Sequence, residues 1–307
     1  MERLSYKSII IILLVTLALL NIAHTIVTKL QFRDAAFRAQ TISLARVVEV
    51  ASDETLRNLH DEAYALGNAT QKRLTGSDKQ LLAPPQLRAE LDDLFIKGFA
   101  GTGKVDLVKL RVYDVNLQPL AQSTQGLELS PTAPRFVLER ARPRQGAERL
   151  KALGGLWPGP GQPLYSLLLP IGGLQLSGYL EVVLDPLYNL GAIAEMTKLP
   201  IRIAMVEGAE VYASPALATQ NAQELLPVEY LIRDERTQPL YRVTAYENNS
   251  PFYAALHSAQ LASTIALIIV TLAMVTLVLY LLNRLLFKPV AALITNVQHS
   301  MEGGLDT

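Results

Sequence analysis

The sequence predicts an α+β protein, in which a long N-terminal helix precedes antiparallel sheet modules and an apolar helix lies near each end of the chain. Three observations predict this class. Apolar residues recur at helical spacing from Phe37 to Leu66. Short stretches of alternating apolar and polar residues, separated by turn residues, fill the middle of the chain. Two uncharged runs, 8–28 and 258–283, are long enough to cross a bilayer as helices.

The first run predicts an uncleaved membrane anchor. The alternative is a cleaved signal peptide, but the apolar part of such a peptide spans about 7–15 residues and ends at an A-x-A-like site. This run is longer, and the sequence NIAHTIV after it contains no such site. The alternative for the second run, a buried core helix, is disfavoured by its length and composition.

Basic residues near the second run predict the orientation. Arg284 and Lys288 follow it, whereas no Lys or Arg lies between Val243 and His257, so its C-terminal end is expected in the cytoplasm. Two spans then place the intervening residues outside the plasma membrane and both termini inside. The predicted regions are a cytoplasmic start (1–8), a first span (9–28), an external part (29–257), a second span (258–283) and a cytoplasmic segment (284–307).

The first span continues without proline into an amphipathic helix. Its apolar stripe is expected to pack on its own domain, on a partner copy, or on both. A shorter helix follows Pro84 and Pro85. The stripe consists of Phe37, Leu44, Val48, Ala51, Leu59, Ala63 and Leu66.

Strands are predicted over most of the chain after these helices. VDLVKLRVYD and LQPLAQS predict a hairpin, and PLYSLLLPI and SGYLEVVLD predict two further strands before the helix LYNLGAIAEMTK. RIAMVEGAEVYAS predicts a second hairpin. EYLIRD and PLYRVTAYE predict a third, with its turn at Glu235.

The stretch GFAGTGKV at 98–105 differs from the nucleotide-binding P-loop only in its last residue, Val105. A P-loop follows a strand and opens a helix, whereas this stretch follows a predicted helix and opens a predicted strand. It also lacks the hydroxyl that would hold Mg²⁺. We therefore expect a turn between the first helices and the sheet, not a nucleotide site.

Composition argues against several functions. The chain has 28 basic and 28 acidic residues among 307 and contains no cysteine. This balance gives no reason to expect nucleic-acid binding. The four histidines show no metal-ligand spacing, and there is no G-x-S-x-G motif. The sequence predicts no catalytic site, metal or cofactor within these residues.

The central strands resemble those of bacterial extracytoplasmic sensors of the Cache type, which are PAS-like domains held between two membrane helices. The residues that carry the resemblance lie in the third and fourth predicted strands. The resemblance implies a membrane-distal module over 29–195 and a smaller membrane-proximal module over 196–257, as in double-Cache sensors of the bacterial inner membrane. The matching residues are Pro163, Tyr165, Pro170, Ile171, Gly178, Leu180, Val182, Leu184 and Asp185.

The segment 284–307 resembles the first half of a HAMP linker, with Gly303-Gly304-Leu305-Asp306 where that family often has Gly-Asp-Leu. The alternative is an ordinary juxtamembrane helix without a role in signalling. HAMP modules are dimeric, so the resemblance implies a homodimer and an output domain beyond this segment. Cyclic di-GMP turnover is the favoured output, with a histidine kinase or chemoreceptor as alternatives. The residues expected to transmit the signal are Pro289, Leu293, Val297, Met301, Gly304 and Leu305.

The sequence thus predicts a receptor that binds a small molecule outside the membrane and passes a helix shift inward. Polar and aromatic residues on the predicted strands are the candidate ligand contacts, although each such position is typically a surface or core-edge residue. The alternative is a membrane-anchored module that recognises a periplasmic protein, and a closed cleft with an exposed apolar patch would favour it. The candidates are Arg111, Tyr113, Tyr165, Tyr179 and Glu181.

Overall fold

The computed structural model describes residues 6–76, 80–101, 103–173, 175–219, 225–284, 288–290, 293 and 295. Within these, the side chains of 6–14, 17, 18 and 98–101 are not described. Two compact units divide the chain. One contains 41–248, and the other contains 1–40 together with 249–307.

Six α-helices and nine strands make up the described chain, together with two short 3₁₀ helices, Gly146–Leu150 and Pro215–Thr219. The helices are α1 (Tyr6–Gln71), α2 (Pro84–Gly101), α3 (Arg135–Ala141), α4 (Leu187–Leu190), α5 (Ala192–Thr197) and α6 (Ser250–Leu282). The strands are β1 (Asp106–Tyr113), β2 (Pro119–Gln122), β3 (Leu153–Pro158), β4 (Pro163–Ile171), β5 (Gly178–Asp185), β6 (Ile201–Met205), β7 (Glu210–Ala213), β8 (Leu225–Arg233) and β9 (Pro239–Asn248).

The predicted stripe of α1 is buried where it crosses the unit 41–248. Val48, Leu59 and Ala63 are fully buried in the main hydrophobic core, as helical spacing requires. Gly67 allows the helix to approach the sheet, since a Cβ there would lie 2.0 Å from Leu169 Cδ1.

The first sheet has five antiparallel strands in the order β2-β1-β5-β4-β3. One of its faces, called here the α1 face, carries Leu110, Leu167 and Val182 and packs with α1 and α2 in the main core. The opposite face, called here the α3 face, carries Tyr113 and Tyr179 and packs with α3. Both faces are therefore covered, unlike an antiparallel sheet that is open to water on one side.

The second sheet has four antiparallel strands in the order β7-β6-β9-β8. The predicted hairpins β6–β7 and β8–β9 are both present. Ile203 and Val243 of this sheet belong to the same buried cluster as α1 and the first sheet. The Tyr241 hydroxyl also donates a hydrogen bond to the Pro163 carbonyl, at 3.2 Å. The two sheets thus share one core, and the predicted α+β class with antiparallel sheets and a long N-terminal helix is confirmed.

The other unit combines the start of α1 with α6. Helix α6 is long and apolar enough to cross a membrane and is the one such helix found in the described part of the chain. It covers 258–282 of the predicted second span, whereas the side chains of 9–14, 17 and 18 in the predicted first span lie outside the described residues. Lys29 Nζ of α1 donates to the Gln260 carbonyl at 3.1 Å and to Thr264 Oγ1 at 2.6 Å.

Only two of the six residues proposed to transmit the signal are described. Pro289 and Leu293 are helical and exposed. The other four, Val297, Met301, Gly304 and Leu305, lie outside the described residues, so the resemblance to a HAMP linker stays a prediction.

Candidate functional site

Four of the five predicted ligand contacts meet on the α3 face of the first sheet. Strand register places Arg111 opposite Glu181 and Tyr113 opposite Tyr179 across the β1–β5 pair. Tyr165 lies on the α1 face instead, because it shares the period-two parity of Leu167 on β4. The structure thus separates Tyr165 from the other candidates.

Arg111, Tyr113 and Glu181 form a buried ion-pair cluster. Arg111 Nε lies 3.2 Å from Glu181 Oε2, and the two side chains are 2% and 0% exposed. The Tyr113 hydroxyl donates to the same Oε2 at 2.6 Å. Arg111 Nη1 donates to the carbonyls of Ser130 and Thr132 at 2.9 and 3.1 Å. Burial, followed by the negative charge of Glu181, raises the pKa of Tyr113, so this hydroxyl stays protonated and can donate.

The expectation that these positions are surface or core-edge residues is wrong. Phe136 and Val137 of α3 pack in one buried cluster with Tyr113 and Tyr179, because the segment between β2 and β3 folds over the sheet face. Among the described residues, Arg111 Nη2 and Glu181 Oε1 have no hydrogen-bond partner. Covered in this way, the cluster is an internal ion pair of the kind whose desolvation offsets much of its Coulombic attraction.

Helix α3 is tied to the turn between β8 and β9. Glu139 forms a salt bridge with Arg236, and Arg140 forms one with Glu235. Two neighbouring residues of α3 thus pair with two neighbouring residues of the turn. The Arg236 and Arg135 guanidinium groups hold the pKa of Glu139 below its usual range. The helix that covers the buried ion-pair cluster is thereby linked to the second sheet.

Tyr165 belongs to a different site, a polar cleft of about 440 Å³ on the α1 face. His60 of α1 reaches it, with Nδ1 lying 2.7 Å from the Tyr165 hydroxyl oxygen. Burial, followed by the charges of Glu235 and Asp61, raises the pKa of Tyr165. A protonated hydroxyl can donate to Nδ1, and the other ring nitrogen then carries the hydrogen. The cleft is lined by Asp53, Leu56, Arg57, His60, Gly154, Gly155, Leu156, Tyr165, Arg233 and Glu235.

Two glycines of the edge strand β3 make the cleft sterically feasible. A Cβ at Gly154 would lie 2.2 Å from the Tyr165 hydroxyl oxygen and 2.9 Å from His60 Nδ1. A Cβ at Gly155 would point to the α3 face instead, where it would lie 2.7 Å from Glu235 Cγ and 2.9 Å from Phe136 Cε2. The side chains of Tyr165, His60 and Glu235 can occupy their positions only because these two residues of β3 have no side chains.

Sequence reasoning found Tyr165 but missed the rest of the polar cleft. The signal that could have found it is the Gly154-Gly155 pair inside a strand, since glycine there often marks a close approach. The spacing of the four histidines predicts no metal site and gives no indication of a role for His60. Its pairing with Tyr165 joins positions 105 residues apart, which spacing along the chain does not reveal.

Comparisons with solved structures find neighbours at low identity and low TM-score. No family model and no curated protein matches the sequence. The periplasmic domain of Vibrio cholerae LuxQ is similar with a TM-score of 0.40 at 12% identity, over 68% of this chain and 100% of that one. The sensory domain of the Campylobacter jejuni chemoreceptor Tlp3 with isoleucine bound has a TM-score of 0.39 at 10% identity, over 69% and 94%.

An extracellular ligand binding receptor from Desulfohalobium retbaense has a TM-score of 0.35 at 14% identity, over 65% of this chain and 39% of that one. By name, the three neighbours are a periplasmic domain, the sensory domain of a chemoreceptor and an extracellular ligand binding receptor. What each one binds is a property of that protein.

Proposed function

We propose that this chain is the extracytoplasmic sensor and membrane-anchoring part of a receptor, and that it binds a small molecule in the polar cleft. The cleft itself supports this proposal. Its volume of about 440 Å³ is within the range of roughly 300–1,000 Å³ typical of small-molecule sites. Polar groups from α1, β4 and the β8–β9 hairpin converge on it, as a specific ligand would need.

The position of the cleft also supports a signalling role. Its lining comes from the first sheet and from the β8–β9 hairpin of the second, so a bound ligand would contact both sheets. A ligand shifts a conformational equilibrium only if it binds one arrangement more tightly. A molecule that bridges α1 and the hairpin turn at Arg233 and Glu235 would distinguish arrangements in which these elements lie closer together.

Signal transmission would run from the β8–β9 hairpin to the apolar helix α6. Strand β9 ends at Asn248, and α6 begins at Ser250. Because one residue separates the two elements, a shift of the hairpin would be passed along the chain to the apolar helix. We retain the proposals of two membrane spans, a HAMP linker and a homodimer. We also retain a cytoplasmic output, with cyclic di-GMP turnover favoured over a histidine kinase or a chemoreceptor. No catalysis is proposed for the residues described above.

A thermal-shift screen of the full chain in nanodiscs tests the proposal. A metabolite that binds in the polar cleft should raise the melting temperature of the native protein and not that of His60→Ala. Asn58→Ala, an exposed position two residues away on the same helix, is the control and should respond like the native chain. A ligand that stabilises both variants equally would place the binding site elsewhere and contradict the proposal.

One observation favours the alternative of a protein-interaction module. The α3 face, which holds four of the five predicted ligand contacts, is closed by the protein's own side chains. An apolar hollow of about 560 Å³ lies by α2 and β1, lined partly by Phe95, Ile96 and Leu127, and Ile96 is 60% exposed. If no compound in the screen stabilises the chain and Ile96→Asp abolishes binding of a periplasmic protein, this alternative is the better one.

A further inference from the structure

We infer that the ligand of the polar cleft is a small oxyanion, a molecule that presents a carboxylate or phosphate group to Arg57, Arg233 and His60. The inference rests on the proposed function, since it names the chemistry of the ligand of that site. It follows from which polar groups of the cleft are engaged within the protein and which are free.

The two acidic residues of the cleft already have partners. Asp53 Oδ1 accepts a hydrogen bond from the Tyr230 hydroxyl at 3.3 Å. The carboxylate of Glu235 is neutralised by Arg140 of α3. A cationic ligand would have to displace one of these partners, so the acidic side chains are poorly placed to recognise a positive charge.

The basic residues retain donors. In the described part of the chain, the one ion pair of Arg57 is with Glu54 at 3.6 Å, and its side chain is 74% exposed. Arg233 uses Nη1 to donate to the Thr237 carbonyl at 2.8 Å, which leaves its other N–H groups for a ligand. A guanidinium group has five such donors and no acceptor.

The arrangement of these donors suits an oxyanion. Arg57 and His60 are three residues apart on α1, so they lie on the same side of the helix. Arg233 comes from the end of β8, and the cleft is lined by all three. Guanidinium groups bind carboxylates and phosphates through paired N–H donors. The ring nitrogen of His60 that does not face Tyr165 is a third donor. Gly154 keeps the β3 side of the cleft free of a side chain next to Tyr165 and His60.

Direct titration of the full chain tests the inference. The protein is placed in nanodiscs of phosphatidylcholine, which has no net charge, at low ionic strength so that screening is weak. Isothermal calorimetry is then run with succinate and with inorganic phosphate as probes, and with putrescine as a cationic probe. We expect one or both anions to bind and putrescine not to bind. Succinate alone would indicate a carboxylate ligand, and phosphate alone a phosphorylated one.

A pair of matched arginine variants locates the binding. Arg57→Gln should weaken the anion by about tenfold or more, as loss of a charged hydrogen-bond donor does. Arg46→Gln is the control, because Arg46 is equally exposed on α1 and also pairs with a glutamate three residues away. Its affinity should equal that of the native chain. Equal weakening in both variants would indicate general attraction to a basic surface and would overturn the inference.

Failure of the inference can be distinguished from failure of the proposed function. If neither anion binds, but an uncharged or cationic compound stabilises the native chain and not His60→Ala, the sensor proposal stands and the oxyanion inference is wrong. If the anions bind with unchanged affinity to both Arg57→Gln and His60→Ala, they bind outside the cleft and the inference is again wrong. If no compound or anion binds, both proposals fall.

Discussion

The two faces of the first sheet carry similar polar residues in opposite environments. The α3 face holds Arg111, Tyr113 and Glu181, which are almost completely buried. The α1 face holds the polar cleft at its β3 edge, where Arg57 and Glu235 remain solvent-accessible. Residue chemistry alone would assign both faces the same role.

The difference lies in what covers each face. On the α3 face the segment between β2 and β3 excludes water, so its charges interact with each other and with backbone carbonyls. On the α1 face, α1 and the β8–β9 turn approach the edge strand without closing over it. A buried charge contributes to folding specificity or strain, whereas an open one is available to a ligand. Covering elements, more than residue type, decide which site can bind.

The largest effect should follow from breaking the buried ion pair. Glu181→Leu leaves the Arg111 guanidinium buried without its counter-charge, and such a loss costs about 3–5 kcal/mol. The free energy of unfolding can be followed in urea by the fluorescence of Trp157, the single tryptophan of the chain. Adding Arg111→Met to this variant should recover much of the loss. A double variant as unstable as Glu181→Leu would show that the cluster matters for more than its charges.

Filling the polar cleft from its β3 side should have the next largest effect. Gly154→Ala introduces a Cβ 2.2 Å from the Tyr165 hydroxyl oxygen, and overpacking of this kind costs about 1–3 kcal/mol. Tyr165→Phe removes the oxygen, so the double variant should be more stable than the two single losses predict. Strict additivity in this double-mutant cycle would mean that the two groups do not meet.

Asp106, at the start of β1 in the first sheet, is half-buried and so lies in an environment between those of the two faces. Burial, followed by the charge of Asp185, raises the pKa of Asp106. A raised pKa in the folded state means that Asp106 favours folding below its ordinary pKa and loses this contribution as pH rises through the folded value. Relative to Asp106→Asn, the native chain should therefore gain stability on acidification from neutral pH. Parallel pH profiles of the two melting temperatures would contradict this.

The smallest effect should come from the exposed ion pairs between α3 and the β8–β9 turn. Glu139→Gln should lower the melting temperature only slightly, and salt should reduce the difference further, because exposed pairs are screened and contribute little. Since the pKa of Glu139 is lowered in the folded state, its contribution is present at neutral pH and disappears in acid. A large salt-independent loss would show that these pairs hold α3 over the buried cluster.

Sequence reasoning succeeded where a pattern is local. The helical stripe through Val48, Leu59 and Ala63 is buried as predicted, and the β6–β7 and β8–β9 hairpins form. The near-match to a P-loop begins in the last turn of α2, which ends at Gly101, and is followed by β1 at Asp106, so the order of helix and then strand is as expected. Periodicity and turn residues act over a few residues, so they can be read directly from the chain.

The burial of individual polar side chains could not be predicted in the same way. Alternation along β1 separated Arg111 and Tyr113 from Leu110, but it could not show that α3 would cover them. Likewise, the helix predicted over 187–198 divides into α4 and α5, with Tyr212 of β7 packed 3.3 Å from the position of a Cβ at Gly191. Such contacts depend on segments that are distant in sequence.

The sequence by itself determined most of the elements of this protein, their order and the apolar character of α6, because each of these depends on short-range periodicity and composition. It did not predict α3 or β3. Only the tertiary structure decided that Arg111 and Glu181 would be enclosed and that His60 would meet Tyr165 beside Gly154. Those outcomes depend on which elements pack over each face of one sheet. The pairs that define the polar cleft join residues about a hundred positions apart, such as His60 with Tyr165 and Arg140 with Glu235, and no local pattern contains them.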